Sequence, residues 1–154
     1  MPSFRTVRRV PFTPDQMFAV VADVERYPDF LPLCEGLTVH ERHEEADGTR
    51  LLEATMTVGY GAIQERFTTR VTLDPGNRQI RARHLDGPFS RLDNTWQFEP
   101  AAADGTDVHF FIDYAFRSTM LALIVGAAFD KAVRHYTEAF EGRARTLYGT
   151  PAGV

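Results

Sequence analysis

Cysteine is all but missing from this chain. Cys34 stands alone in 154 residues, so no intrachain disulfide can form and nothing points to an oxidising compartment. A single thiol with no base beside it in sequence is also a poor start for nucleophilic catalysis. Long apolar runs are missing too. The longest uncharged stretch, residues 119–129, falls short of the ~20 residues that span a bilayer. The opening MPSFRTVRRV has no apolar core of the signal-peptide kind. Positive charge is not in excess. Seventeen Lys and Arg face 21 Asp and Glu, a net charge of −4 with a pI of about 5.7, which argues against DNA binding through bulk charge. No phosphate loop, G-x-G-x-x-G, H-E-x-x-H or nucleophile elbow occurs. His40 and His43 could both ligate a metal, but a spacing of three on a strand sends them to opposite faces. These absences predict a soluble, cytoplasmic protein with no catalytic residue, metal or cofactor.

What is present is apolar and aromatic. Hydrophobic residues make up 44% of the chain, and 12 Phe stand against 5 Tyr and 1 Trp, which predicts a Phe-rich core in a single domain over residues 1–154. Residues 3–10 alternate loosely and predict a first strand. Thr13-Pro-Asp-Gln reads as a helix start, with Thr13 as the cap and Pro14 at the first helical position. Tyr27-Pro-Asp-Phe-Leu-Pro puts two prolines in six residues and allows only a short helical turn or an aromatic loop. From residue 37 to 116 the period drops to two. Six runs (37–42, 50–58, 62–73, 78–85, 91–98 and 107–116) are split by Gly, Asp and Pro breaks and predict an antiparallel meander. Residues 118–148 contain no proline, with Ser118 as a cap and Gly149 and Pro151 behind, and predict one helix about 45 Å long. Its second half is amphipathic, with Phe129, Val133, Tyr136, Phe140 and Leu147 on the apolar side, while its first half has no charge on any side. The element order gives an α+β fold: a curved seven-stranded antiparallel sheet packed on a long C-terminal helix, with two short helices after the first strand.

Alternation assigns faces. Ile63, Phe67 and Val71 lie opposite Gln64, Arg66 and Arg70. Ile80, Ala82 and His84 share a face, as do Leu92, Asn94, Trp96 and Phe98. Phe110, Ile112, Tyr114 and Phe116 share another, although Phe111 leaves that strand ambiguous. Two readings of this inner face stay open: a filled core, or an apolar cavity that one helix cannot fill. His84 and Asn94 fit either, as satisfied core groups or as groups that orient a ligand. Gly126 would allow bending or close approach in the uncharged half of the helix.

Certain segments also resemble a known family. They are Val10-Pro-Phe-Thr-Pro-Asp-Gln-Met-Phe18, Val21-Ala-Asp-Val-Glu-Arg-Tyr-Pro-Asp-Phe-Leu-Pro-Leu-Cys34, Phe67-Thr-Thr-Arg70, Asp86-Gly-Pro-Phe89 followed by Leu92 and Trp96, and Ala144-Arg-Thr-Leu-Tyr-Gly149. Over residues 3–149 the chain resembles the coenzyme Q-binding START-domain family, which includes the ribosome-association toxin RatA. That family lies within the polyketide cyclase and lipid-transport superfamily of helix-grip (START/Bet v 1-like) fold. Leu33 stands where the family often has Trp, and Thr95 where it often has Gly before the tryptophan. The resemblance implies one START-like lipid-binding domain that binds ubiquinone or a similar polyprenyl lipid without catalysis. It further implies support of respiratory electron transport and transient membrane contact, peripheral on the inner membrane. On this reading Phe67, Val71, Trp96, Phe98, Phe110 and Ile112 line the sheet side of the pocket, and Leu121, Val125 and Phe129 the helix side. His84 and Asn94 meet the quinone oxygens, and Tyr27, Phe30 and Leu31 form a lid or membrane contact. The alternative within the same family is a toxin that binds the large ribosomal subunit and blocks subunit association, using Arg5, Arg8, Arg9, Arg66 and Arg70. A cyclase/aromatase-type enzyme would need acid–base groups in the cavity, where the pattern offers only His84.

Overall fold

The computed structural model describes residues 3–149. Its strands are β1 (Ser3–Val10), β2 (Cys34–Glu44), β3 (Arg50–Tyr60), β4 (Ile63–Asp74), β5 (Gln79–Asp86), β6 (Phe89–Pro100) and β7 (Thr106–Phe116). They form one antiparallel sheet in the order β1-β7-β6-β5-β4-β3-β2, a meander with β1 added beside β7. Register shifts interrupt the ladders at Cys34/Gly36, Val39/Glu41, Thr68/Thr69 and Phe89/Arg91. Such bulges bend and twist strands, and they curve the sheet around its apolar side. Phe67, Val71, Ile80, Leu92, Trp96, Phe98, Phe110, Ile112 and Tyr114 are buried, as alternation predicts. Phe111 belongs to the outer face, where the Arg5 guanidinium lies 4.5 Å from its ring centre.

Helix α1 (Pro14–Ala22) begins with a reciprocal capping box. The Gln16 N–H donates to Thr13 Oγ1 at 3.1 Å, and the Thr13 N–H donates to Gln16 Oε1 at 2.9 Å, satisfying two otherwise orphaned donors. Its buried face, Met17, Phe18, Val20 and Val21, sets Phe18 edge-on to Phe98. A 3-10 helix, Val24–Asp29, follows, and Tyr27 and Phe30 both pack edge-on against Phe140.

The C-terminal stretch is two helices rather than the single one predicted. α2 (Thr119–Arg134) and α3 (Tyr136–Tyr148) meet at His135, whose φ of −106° and ψ of 5° are non-helical. Neither proline nor glycine marks the break, which is set by packing. α2 lies on β7, with Phe129 edge-on to Tyr114 at 4.9 Å, whereas α3 lies on α1 and turns Phe140 onto Trp96 at 5.0 Å. One straight rod could not serve both surfaces. Gly126 is not the bend: a Cβ there would make only an ordinary 3.9 Å contact with Phe116. Leu147, expected on the apolar side, is exposed, and Ala144 takes the buried position. The uncharged half of α2 is largely open to solvent, with Met120, Leu123 and Ile124 exposed by 71%, 81% and 48%. No helix among the described residues is long and apolar enough to cross a membrane.

Candidate functional site

An interior cavity of about 90 Å³ lies between the concave face of the sheet and the helices. The sheet supplies Leu37, Ala54, Met56, Phe67, Thr69, Val71, Ile80, Ala82, Leu92, Asn94, Trp96 and Ile112. Val24, Tyr27 and Leu31 come from the segment after α1, Phe129 from α2, and Tyr136 and Phe140 from α3. None of these side chains is charged. A smaller space of about 30 Å³ adjoins it, bordered by Leu33, Tyr60, Pro88, Phe116 and Val125 among others. Phe129 borders both spaces, so its ring is the partition between them. Phe89, Tyr114 and Phe116 hold that ring at centroid distances of 5.4, 4.9 and 5.8 Å.

Of the residues singled out in sequence, Phe67, Val71, Asn94, Trp96, Ile112 and Phe129 come together at the cavity. Phe98 and Phe110 are buried against Trp96 at 6.3 and 4.6 Å instead of at the cavity surface. Val125 borders the smaller space, and Leu121 borders neither. Tyr27 and Leu31, expected at a lid, form part of the cavity wall: Leu31 is buried, and the Tyr27 hydroxyl donates to the Val21 carbonyl. Phe30 packs on Phe140, with the Arg143 guanidinium 5.5 Å from its ring. His84 stands off the cavity. Its ring is edge-on to Phe89 at 6.0 Å, and both ring nitrogens are shut from solvent without a hydrogen-bond partner. Asn94 reaches the cavity but is committed within the fold. Its Oδ1 accepts from Trp96 Nε1 at 3.0 Å, and its Nδ2 donates to the Phe111 carbonyl at 2.8 Å. Sequence patterns do not single out Thr69, Met56, Tyr136 or Phe140 as site residues. Thr69 is nonetheless in phase with Phe67 and Val71, and Tyr136 and Phe140 lie on the apolar helix face.

Burial governs the titratable groups here. It holds the Tyr27 and Tyr136 hydroxyls well above the ordinary tyrosine range and pushes the Cys34 thiol up to about 11, so none of them is an anion near neutral pH. Burial first, then nearby Arg117, lowers the His84 pKa below its usual value. A lowered folded-state pKa means the fold favours neutral His84. That contribution is present above the ordinary histidine pKa and is lost as pH falls through the lowered one. Stability should therefore decline as pH falls below the ordinary histidine pKa, and His84→Leu should flatten this part of the profile. Urea unfolding at a series of pH values checks this; equal slopes for both proteins would count against it.

Outside the cavity the arginines are mostly engaged. Arg8 pairs with Glu141 at 2.7 Å, Arg9 with Asp107, and Arg70 with Glu53 at 3.0 Å, while Arg5 covers Phe111. Arg81–Asp93 and Arg91–Asp113 extend this balance over the convex face. Arg66 makes no ion pair among the described residues. His40 meets Thr55, and His43 meets Glu45. No group of three His, Cys, Asp or Glu among the described residues is placed to hold a metal.

Residues 10–141 match the family described as polyketide cyclase / dehydrase and lipid transport. The ribosome association toxin RatA of Escherichia coli (strain K12) is 32% identical over 148 residues, 96% of this chain and 90% of that protein. The mitochondrial coenzyme Q-binding protein COQ10 homolog B of Xenopus laevis is 29% identical over 142 residues, 90% of this chain and 56% of that protein. The solution structure of an 18 kDa protein from Caulobacter crescentus is 36% identical, with a TM-score of 0.78 over 97% of this chain and 100% of that one. With the match spanning most of the sequence and the sheet curved over C-terminal helices, the chain belongs to the polyketide cyclase / dehydrase and lipid transport family, with a START-like fold.

Proposed function

We propose that the chain binds a neutral polyprenyl lipid, ubiquinone or a close relative, in the cavity behind Phe129 and acts without covalent chemistry. The observation that carries this reading is the cavity wall, which contains no charged side chain. Similarity to a coenzyme Q-binding protein supports the same ligand class. Apolar burial at about 25 cal/mol per Å² favours moving a prenyl chain from water onto such a wall. Volume sets a condition. Sites enclosing drug-sized ligands hold about 300–1,000 Å³, and this cavity holds about 90 Å³. Displacing the Phe129 ring would join it to the adjoining space beside Val125 and Tyr60. Entry would then run beneath the uncharged half of α2, whose exposed Met120, Leu123 and Ile124 suit transient contact with the membrane that holds the lipid. Such a protein would be cytoplasmic, peripheral on the inner membrane, and would serve respiration by carrying quinone. An enzyme of the cyclase type would need an acid–base group at the wall, and His84 faces Phe89 instead.

Trp96 provides the test. It is the sole tryptophan, is 3% exposed and lines the cavity. A short-chain ubiquinone should quench its fluorescence saturably, and organic extracts of the purified protein should contain a prenyl lipid. Linear, unsaturable quenching together with lipid-free extracts would sink the proposal.

Similarity to the ribosome association toxin RatA favours a second reading, attachment to the large ribosomal subunit. The engagement of Arg5, Arg8, Arg9 and Arg70 within the fold weighs against a free basic surface. Co-sedimentation with ribosomal subunits, for the wild type and Arg66→Ala, separates the two readings.

A further inference from the structure

Within the apolar wall, two hydroxyls are left over. Thr69 on β4 is buried, at 9% exposure, lines the cavity and has no hydrogen-bond partner among the described residues. Its neighbour Thr68 faces the other side and shares a 2.7 Å hydrogen bond with Thr55. The register shift at Thr68/Thr69 falls at this point of the ladder to β5, and bulges of this kind re-aim side chains. Tyr136 opens α3 immediately after the helix break, lines the same cavity, and its hydroxyl likewise has no partner among the described residues. The other polar groups at the wall are spent. Asn94 bonds Trp96 and the Phe111 carbonyl, and the Tyr27 hydroxyl donates to Val21. Among the described residues only the His84 nitrogens are fully enclosed without a partner, so the Thr69 and Tyr136 hydroxyls are unengaged but not sealed off, and a ligand oxygen can reach them.

Resting on the lipid-binding reading above, we infer that the Thr69 and Tyr136 hydroxyls are the donors that hold the polar end of the ligand, and that they select a neutral lipid bearing a carbonyl oxygen. Both groups can donate to such an oxygen. Neither can neutralise a carboxylate or a phosphate, and no Lys, Arg or His lines the wall to do so. A charged head group would therefore lose its hydration without a counter-charge. The site rejects fatty acids and phospholipids on this ground and accepts a quinone ring. Asn94, one of the two groups that alternation points to, is kept from this role by its own hydrogen bonds, and His84, whose ring nitrogens have no partner, by its position off the cavity beside Phe89.

The experiment compares three ligands of matched tail length: an alkyl benzoquinone, an alkylbenzene with no oxygen, and a fatty acid. Each competes against a fluorescent lipid probe bound to the full chain. Wild type should bind the quinone at least about 10-fold more tightly than the alkylbenzene, since each hydrogen bond contributes about 3- to 10-fold. Tyr136→Phe and Thr69→Val each remove one oxygen at nearly constant shape, so the fold should survive, as thermal unfolding will verify. Each should weaken quinone binding by about 3- to 10-fold and leave the alkylbenzene unchanged, and the double variant should abolish the difference. Thr69→Ser, which keeps the hydroxyl, should retain it. A quinone preference that persists in the double variant overturns the inference while leaving lipid binding intact. So does fatty acid bound as tightly as quinone. Failure of wild type to bind any of the three overturns the lipid-binding reading itself, and this inference with it.

Discussion

Phe89→Ala should lower the free energy of unfolding by about 3–5 kcal/mol, and Tm by on the order of 6–20 °C for a chain of this length. Phe89 is 1% exposed and lies within ring-contact distance of Phe67, His84, Tyr114, Phe116 and Phe129, at 5.2, 6.0, 6.2, 5.0 and 5.4 Å. Truncation removes the apolar surface and leaves a hole at the junction of β4, β6, β7 and α2. The strands are fixed by their ladders, so the hole cannot close fully, and the cost sits at the upper end for a core residue. Phe129 loses a neighbour at the same time, so the partition between the two cavity spaces should loosen. Denaturant unfolding gives the stability, and exchange of backbone amides in α2 reports the loosening. A loss under about 1 kcal/mol would mean that the surrounding rings repack freely, contrary to the close-packed arrangement described.

Gly87→Ala should cost about 2–4 kcal/mol, from strain and overlap combined. Gly87 has a φ of +132°, a conformation that L residues rarely adopt. A Cβ there would stand 2.7 Å from Phe67 Cβ, 2.8 Å from Phe67 Cα and 2.9 Å from the Arg66 carbonyl oxygen. Two of those three atoms are backbone of β4, which cannot move without breaking its ladders to β3 and β5. Gly48→Ala is the internal control. Gly48 also has a positive φ, of +89°, but a Cβ there would meet nothing within 4 Å, so only the conformational cost of about 1 kcal/mol should remain. Thermal unfolding of both variants separates overlap from strain, and equal losses would show that the contact with β4 does not matter.

The same turn shows how far the sequence reaches. Asp86-Gly-Pro88 marks a chain reversal from sequence alone, because Gly and Pro punctuate the backbone locally. That the glycine is required for close approach to Phe67 depends on where β4 lies, two strands away in the ladder from β6. The strand faces were legible in every strand but β7, where Phe111 blurred the pattern, since period-two alternation is a property of each strand by itself. It marked Phe67, Val71, Trp96 and Ile112 as inward, and they are buried. The Thr13 cap was legible for the same local reason. The break at His135 was not. No local signal ends the helix there, and it arises from two separate surfaces, β7 under α2 and α1 under α3.

For this protein the sequence by itself determined the order of strands and helices apart from the break at His135, the inward side of every strand but β7, and the absence of charge along residues 119–129. Those features follow from backbone periodicity and side-chain polarity, which act over a few residues. Only the tertiary structure decided which inward groups still have an unmet bond. Asn94 finds Trp96 and Phe111; the His84 nitrogens find no partner and are shut away beside Phe89; Thr69 and Tyr136 arrive at one cavity from opposite layers with their hydroxyls unengaged. Hydrogen-bond satisfaction is a relation between distant segments, fixed by strand register and by the angle at which α3 leaves α2, and one-dimensional patterns carry neither.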